Sequence, residues 1–262
     1  MCELFGLNAR FPCRVRLSLE NFVKQAGNRN HDGWGLANME GNDAYIYREP
    51  VAAGKSKLAR FLAQEGVVGS LMISHVRKST VGSISLANTH PFNREWQGRT
   101  HVFAFNGDTP GVMERYGRPK RFQPVGETDA EWAFCLLLDR LVATNGENRS
   151  VMDVMHAFGC ELAQMGPANF LYAANDRLYA FSSRRRYDDG ERPPGLCRVT
   201  RRCEEPETSI IVSGVQVETG PKVEQRIILI ASRPISTEAW RPLTANELVC
   251  IRKGEIVDRR MA

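Results

Sequence analysis

Long apolar runs, paired cysteines and internal repeats are missing from this 262-residue sequence. No apolar stretch approaches the roughly 20 residues that a membrane-spanning helix needs. The first residues also lack the basic and apolar regions of a secretory signal. The seven cysteines are odd in number and none forms a C-x-x-C pair, which argues against a disulfide framework or a structural zinc. We therefore expect a cytoplasmic protein with no membrane segment and no metal.

The composition is that of an ordinary globular protein, with 42% hydrophobic and 25% charged residues. A chain of this size can bury a sizeable core, and no linker divides it, so we expect one domain over residues 1–262. The net charge is +5, and much of the excess lies in Arg184–Arg202. Acidic residues such as Glu191 interrupt that stretch, and no aromatic stacking platform is evident. These features argue against nucleic-acid binding.

The hydrophobic pattern alternates between short strands and a few helices. Predicted strands cover Glu3–Ala9, Leu36–Met39, Ala44–Arg48, Leu71–Val76, His101–Phe105, Asn169–Ala174, Arg177–Ser182, Ser209–Val215, Arg226–Ala231, Leu248–Arg252 and Glu255–Asp258. Predicted helices cover Leu17–Ala26, Lys57–Gln64, a long segment capped by Thr128, and Val151–Ala163. The charged stretch Arg184–Glu207 is interpreted as an exposed loop. Without regular βαβ alternation, the pattern indicates an α+β fold of two antiparallel sheets with helices outside.

The chain begins with a residue that can carry two reactive groups. If Met1 is removed, Cys2 holds both a thiol and a free α-amine, a nucleophile and a base a few bonds apart. The amine titrates near neutrality and can accept and return a proton. Taken alone, Cys2 is better interpreted as a small apolar residue that opens a strand.

Other polar positions have a structural interpretation beside a functional one. Arg77 ends a buried strand and is followed by hydroxyl residues, a pattern that suits a carboxylate clamp. Asn106-Gly107 favours a hairpin turn, but an amide and a neighbouring N–H also suit an oxyanion hole. Asp129 opens the long helix, where a carboxylate favours the N-terminus. His90 precedes a proline and is interpreted as a hydrogen-bonded structural residue, and His31-Asp32 as a solvated turn.

Six short motifs in order resemble the class-II glutamine amidotransferase domain of the N-terminal-nucleophile hydrolases. They are MCELFG, HDGWG, HVRKSTVG, NTHPF, FNGD and GETDAE, spread over roughly the first half of the chain. The later segments ASRPIS, TEAW and ELVCIRKGEIV resemble the stand-alone branch, in which no synthase domain follows. The resemblance implies a four-layer αββα sandwich and requires no metal or organic cofactor.

The resemblance also implies roles for individual residues. Cys2 would attack the side-chain amide of glutamine, with its α-amine carrying the proton to the departing ammonia. The side chain of Asn106 and the backbone N–H of Gly107 would hold the oxyanion. Arg77 would bind the α-carboxylate of the substrate and Asp129 its α-ammonium.

Further residues are implied around the pocket. Thr80, Gly82 and His90 would shape it. Two positions depart from the pattern of many relatives. Lys78 follows the arginine where tryptophan is common, and Asp108 follows the Asn-Gly pair, so access to the site is expected to differ while the chemistry is kept.

The implied reaction is hydrolysis of glutamine to glutamate and ammonia through a γ-glutamyl thioester. The ammonia would be released or passed to a separate synthase. Two alternatives remain open at this point: hydrolysis of a larger γ-glutamyl metabolite, as in the ergothioneine-pathway relatives, and a non-catalytic binding protein of the same fold. The complete set of implied catalytic residues argues against the second.

Overall fold

Strands dominate the computed structural model, which describes residues 2–18, 32–79, 81–144, 150–187, 190–205, 209–212, 215–221 and 224–261. The helices are α1 (Lys57–Glu65), α2 (Val112–Tyr116), α3 (Asp129–Ala143) and α4 (Val151–Met165), with a 3-10 turn at Ala53–Lys55. The strands are β1 (Glu3–Leu17), β2 (Trp34–Glu40), β3 (Asp43–Glu49), β4 (Val67–Val76), β5 (Phe92–Trp96), β6 (Arg99–Gly107), β7 (Ala168–Ala174), β8 (Arg177–Ser182), β9 (Arg185–Tyr187), β10 (Gly190–Arg192), β11 (Cys197–Cys203), β12 (Ser209–Val212), β13 (Val215–Thr219), β14 (Gln225–Ala231), β15 (Arg241–Pro242), β16 (Glu247–Arg252) and β17 (Glu255–Arg260).

Most strands belong to two antiparallel sheets. The larger has nine strands in the order β15-β11-β14-β1-β4-β2-β3, with β13 beside the second half of β1 and β12 beside β13. The smaller has six strands in the order β17-β16-β8-β7-β6-β5. Strands β9 and β10 form a separate hairpin.

The two sheets pack face to face, with helices on both outer faces. Leu4, Ile73, Ala104 and Ile230 belong to the apolar cluster between the sheets. Helices α3 and α4 cover the outer face of the six-stranded sheet. Helix α1 covers part of the outer face of the nine-stranded sheet, where its Ala59 joins a cluster with strand residues. This arrangement confirms the four-layer αββα sandwich implied by the resemblance.

Strand periodicity decides which residues enter the space between the sheets. Successive side chains of a strand point to opposite faces. In β1, Leu4 lies between the sheets while Phe5 packs on the outer side. By the same alternation, positions 2, 77, 106 and 232 continue the inward rows of β1, β4, β6 and β14. Polar side chains therefore extend the apolar inter-sheet rows at one end of the sandwich.

Three sequence predictions differ from the structure. Asn106 and Gly107 end strand β6 rather than form a hairpin turn. The segment predicted as one strand, Ser209–Val215, contains all of β12 and the first residue of β13. Leu17 is the last residue of β1, and the remainder of the helix predicted over Leu17–Ala26 falls almost wholly outside the described residues.

The prediction of an exposed loop over Arg184–Glu207 is wrong. The segment contains β9 and β10, and most of its later part is β11. Strand β11 pairs with β14 in register, and Cys197 and Val199 are buried on one face of it. Arg185 is only 3% exposed and pairs with Glu3. The high charge of the segment concealed this alternation, since buried arginines are rare unless they are paired.

Within the described residues, no helix combines the length and apolar character that crossing a membrane requires.

Candidate active site

The candidate site lies where β1 begins and where β4 and β6 end. Glu3 of β1 pairs with Val76 of β4, which brings Cys2 next to Arg77 and Lys78. Asn106 is the penultimate residue of β6. Three segments far apart in sequence therefore meet at one edge of the sandwich.

The thiol of Cys2 is held by the backbone that follows β4. Its sulfur lies 3.2 Å from both the N and the O of Lys78, as acceptor from the first and donor to the second. Burial raises the pKa of the Cys2 thiol, and the Lys78 N–H opposes this by lowering it. The thiol is thus neutral near pH 7, so a nucleophilic role requires a base nearby.

Asn106 contacts the same residue from the other sheet. Its Nδ2 donates to the carbonyl oxygen of Cys2 at 2.6 Å and to the hydroxyl of Ser232 at 3.1 Å. Asn106 is 1% exposed. A carbonyl oxygen is only an acceptor, so this contact sets which end of the amide faces Cys2.

Gly107 is required by close packing at the end of β6. A Cβ there would lie 2.1 Å from the carbonyl oxygen of Pro167. The N–H of Asp108 donates to that same oxygen at 2.9 Å. Because consecutive N–H groups of a strand point to opposite sides, the Gly107 N–H is directed away from β7.

Arg77 is 3% exposed and its guanidinium is surrounded by neutral acceptors. Nη1 donates to the carbonyl of Ser83 at 3.1 Å, and Nη2 to the hydroxyl of Ser79 at 3.1 Å and the carbonyl of Val81 at 3.0 Å. These contacts with neutral groups orient the side chain and form no ion pair; burial lowers the pKa of Arg77, and the nearby Asp32 carboxylate opposes this. The guanidinium therefore keeps the ability to bind an anion.

Asp32 has a definite role in this loop, contrary to the solvated turn predicted for His31-Asp32. Its carboxylate accepts the N–H of Ser79 at 2.7 Å, and its own N–H donates to the carbonyl of Arg77 at 3.3 Å. Asp32 thereby fixes the segment that follows the arginine. His31 and Thr80 lie outside the described residues.

Gly82 adopts a φ of +75° and is closely approached by Asn88, whose Nδ2 would lie 2.8 Å from an added Cβ. Asn88 Nδ2 donates to the carbonyl of Ser83 at 3.0 Å, and its Oδ1 accepts the N–H of Glu127 at 2.8 Å. Glu127 precedes α3, so Asn88 connects the loop around Arg77 to the start of that helix.

Asp129 is the first residue of α3. Its Oδ2 accepts from the N–H and the hydroxyl of Thr109, at 2.9 and 3.0 Å, and its Oδ1 accepts the N–H of Ala130 at 2.9 Å. Burial raises the pKa of Asp129, against the lowering by these hydrogen bonds. The predicted cap is also present, since the Thr128 hydroxyl accepts the N–H of Glu131 at 3.2 Å. Asp129 is thus joined to the loop directly after Gly107.

His90 is not the hydrogen-bonded structural residue expected from its sequence context. Its ring packs against that of His75 at a tilt of 38°, with centroids 4.1 Å apart. Neither ring nitrogen of either histidine has a hydrogen-bond partner among the described residues. Burial, and then the charge of Arg77, lower the pKa of His75 to about 3, although the Phe105 backbone lies near enough to favour the protonated form. Burial also lowers the pKa of His90.

The histidine pair predicts a pH dependence of stability. The unfolded chain binds a proton at each histidine below pH 6.5, whereas the folded protein does not until far lower pH, so stability falls as the pH falls. His75→Gln removes one such group. Between pH 7 and pH 4.5, the free energy of unfolding of the variant should therefore fall by about 2–3 kcal/mol less than that of wild type. Urea unfolding at both pH values measures this, and parallel pH profiles for the two proteins would contradict it.

Several polar residues around Cys2 have no functional signal in the sequence. Glu3 is fully buried and bound by Arg185, with contacts of 3.1 and 2.5 Å, and by Arg233 at 3.1 Å. Ser232 is 4% exposed and bonds to Asn106. The only sequence signal for Ser232 was the alternation of β14, which places it in the inward row of Ile228 and Ile230.

Comparisons with known proteins agree on one family. The sequence model of the class-II glutamine amidotransferases matches residues 1–262. The chain is 28% identical over 266 residues to the Escherichia coli protein named "Putative glutamine amidotransferase YafJ", covering 98% of this chain and 100% of that protein. It is 35% identical over 191 residues to a Haemophilus influenzae protein named "Putative glutamine amidotransferase", covering 70% of this chain and 63% of that protein.

Solved structures agree as well. A crystal structure described as a predicted glutamine amidotransferase from Pseudomonas aeruginosa PA01 matches with a TM-score of 0.71 and 27% identity, over 98% of this chain and 99% of that one. The glutamine phosphoribosylpyrophosphate amidotransferase of Bacillus subtilis matches with a TM-score of 0.61 and 14% identity, over 98% of this chain and 48% of that one. The second likeness concerns the fold alone.

Proposed function

The chain belongs to the class-II glutamine amidotransferases, and we propose that it hydrolyses the side-chain amide of glutamine with Cys2 as the nucleophile. The observation that carries the proposal is the contact between Cys2 and Asn106, 2.6 Å long and made across the two sheets. It places the buried amide donor of Asn106 against the backbone carbonyl of the residue that carries the thiol. We further propose that residues 1–262 act as one domain, without a metal or organic cofactor.

The first half of the reaction forms a thioester. After removal of Met1, the α-amine of Cys2 takes the thiol proton, which removes the barrier set by the raised pKa of the thiol. The sulfur forms a bond to the amide carbon of glutamine. The C–N bond then breaks, and the proton held by the amine passes to the leaving group as ammonia departs.

The second half returns the enzyme to its starting state. A water molecule gives a proton to the α-amine as its oxygen bonds to the thioester carbon. The C–S bond breaks, the sulfur recovers a proton, and glutamate leaves. Each half passes through a tetrahedral oxyanion, which the Asn106 amide and the Gly107 N–H stabilise.

Recognition of the substrate rests on the two charged residues at the ends of the site. Free glutamine carries an α-carboxylate and an α-ammonium. Arg77, whose guanidinium donates to neutral acceptors, binds the carboxylate. Asp129, tied to Thr109 just after Gly107, binds the ammonium. This pairing selects compounds with a free γ-glutamyl zwitterion.

The leaving group separates glutamine from a larger γ-glutamyl metabolite. Beyond Gly107, Asp108 binds Arg186 of the β9–β10 hairpin at 3.2 Å. That hairpin and Lys78 are the structural elements best placed to admit or exclude a larger leaving group. Ammonia produced from glutamine is released or handed to a separate synthase.

A panel of γ-glutamyl compounds with graded leaving groups tests the proposal. Protein shown by intact mass to begin at Cys2 should turn over glutamine with the highest kcat/KM, and bulky γ-glutamyl amides should react more slowly. A kcat/KM that rises with leaving-group size would instead identify a larger metabolite as the substrate. If no member of the panel is hydrolysed, the protein is a binding protein of this fold.

A further inference from the structure

We infer that Ser232 is a positioning residue that aims the Asn106 amide at the reacting carbonyl. The catalytic consequence of this inference rests on the function proposed above. The geometric part, that the Ser232 hydroxyl holds the Asn106 amide in place, stands on the contacts alone.

The hydroxyl of Ser232 receives two donors from different strands. The Nδ2 of Asn106 donates to it at 3.1 Å and the backbone N–H of Leu4 at 2.9 Å. Asn106 and Ser232 are 1% and 4% exposed, so water does not compete for these contacts. The hydroxyl thus joins the first strand, which directly follows Cys2, to the strand that carries the oxyanion donor.

The serine itself is rigidly held. Its N–H donates to the carbonyl of Leu4 at 3.1 Å, and its own carbonyl accepts from Arg185 Nη1 at 3.4 Å. Arg185 also pairs with the buried Glu3. Backbone and charge contacts therefore fix the hydroxyl relative to Cys2.

The number of hydrogens on the Asn106 amide explains why its contact with Ser232 matters. The NH2 group of Asn106 has two hydrogens, and one is directed to Ser232 while the other is directed to Cys2. The first contact fixes the rotation of the amide and so the direction of the second hydrogen. That hydrogen lies on the Cys2 carbonyl in this structure and is the one that the substrate oxyanion would take over. Without the hydroxyl, the amide can rotate, and a small displacement of a donor of this kind has a large effect on rate.

Kinetics of five proteins test the coupling. Ser232→Ala should lower kcat about 10- to 100-fold with little change in KM, and Asn106→Ala about 100- to 1,000-fold, since both weaken stabilisation of the transition state. In the Asn106→Ala background, Ser232→Ala should have no further effect on kcat. An undiminished effect there would show that Ser232 does not act through Asn106. Ser232→Thr keeps the hydroxyl and should recover most of the lost kcat.

Ser56→Ala is the matched control. Ser56 is 3% exposed and its hydroxyl accepts the N–H of Ala59 at 2.8 Å, at the N-cap of α1. Its replacement also removes a buried acceptor of a backbone N–H, so thermal stability should fall, but kcat should not change. If both alanine variants lower kcat in proportion to stability, the role of Ser232 is only structural.

Alkylation of Cys2 gives a second discrimination. Iodoacetamide reacts with a thiol at a saturated carbon and forms no oxyanion. Its rate with Cys2 should therefore be the same in wild type and Ser232→Ala, although turnover differs. An equal loss in alkylation and turnover would mean that Ser232 supports Cys2 rather than the amide, and would overturn the inference.

Nuclear magnetic resonance tests whether the Ser232 hydroxyl holds the Asn106 amide in place, and it requires no activity measurement. The signals observed are those of the Asn106 side-chain NH2 group. The signals are identified by their loss in Asn106→Ala. They should shift and exchange faster with water in Ser232→Ala, and stay unchanged in Ser56→Ala. Unchanged signals in Ser232→Ala would refute the positioning role. Protected signals in a protein that hydrolyses no γ-glutamyl compound would refute the proposed function and leave the positioning role intact.

Discussion

Cys2→Ala should abolish hydrolysis of glutamine while the protein stays folded. The variant has no nucleophile, and no other side chain at the site replaces the thiol. Cys2 is partly buried and its thiol bonds only the backbone of Lys78, so the free energy of unfolding should fall by about 1–2 kcal/mol. Cys2→Ser should keep at most a trace of activity, since a hydroxyl is the poorer nucleophile. Activity and urea unfolding, measured on the same preparations, check both statements.

The control for this prediction is Cys203→Ala. Cys203 has a similar exposure but lies at the end of β11, and its replacement should leave turnover unchanged. Diazo-oxo-norleucine, a glutamine analogue with an electrophilic carbon, should label Cys2 alone, and intact mass should show that the labelled protein lacks Met1. Full activity in protein that retains Met1 would disprove the mechanism, because an acylated amine is not a base.

Arg77→Ala and Asp129→Ala should each lower kcat/KM by a factor that corresponds to about 2–5 kcal/mol of lost transition-state binding. Truncation of one member of a buried charge pair has an effect of this size. Each variant leaves one charge of the substrate zwitterion without its protein partner. The remaining partner side chain is largely shielded from water. All γ-glutamyl compounds should show the loss, since all present the same two charges. Steady-state kinetics with glutamine and one γ-glutamyl amide measure it.

Asp139→Ala separates recognition from structure. Asp139 lies on the same helix as Asp129 and its Oδ1 accepts the backbone N–H groups of Arg121 at 3.0 Å and Phe122 at 3.3 Å. It thus ties α3 to a loop, as Asp129 does through Thr109. Both variants should lose stability, but only Asp129→Ala should lose kcat/KM. Equal kinetics for the two variants would leave Asp129 with a structural role only.

Much of the fold was predictable because strand and helix periodicity is a local property. Continuous or alternating apolar runs predicted β7, β8, β16 and β17 within a residue or two of their bounds. The cap of α3 was predicted from Thr128 and Glu131, whose backbone contact is present at 3.2 Å. Glu131 nevertheless directs its carboxylate to the N–H of Gly126 at 2.6 Å and to Arg94, a choice that depends on packing.

Local patterns failed where charge or turn chemistry pointed away from a strand. The segment around Arg185 and Arg201 was predicted to be exposed because it is rich in charge, yet both arginines are buried against the acidic partners Glu3 and Glu238. Asn106-Gly107 was predicted to be a turn because that dipeptide favours one. It instead ends β6, where Gly107 is needed for the close approach of Pro167.

The sequence by itself determined the reactive groups, their order along the chain and the elements that carry them, because each depends on residue type and on neighbours a few positions away. Only the tertiary structure decided which of these groups meet. Asn106 and Cys2 are in contact although 104 positions separate them in sequence. The separation is 228 positions for Leu4 and Ser232, and 182 positions for Arg185 and Glu3. Strand order and register bring these residues together, and neither can be predicted from the residue pattern of a single strand.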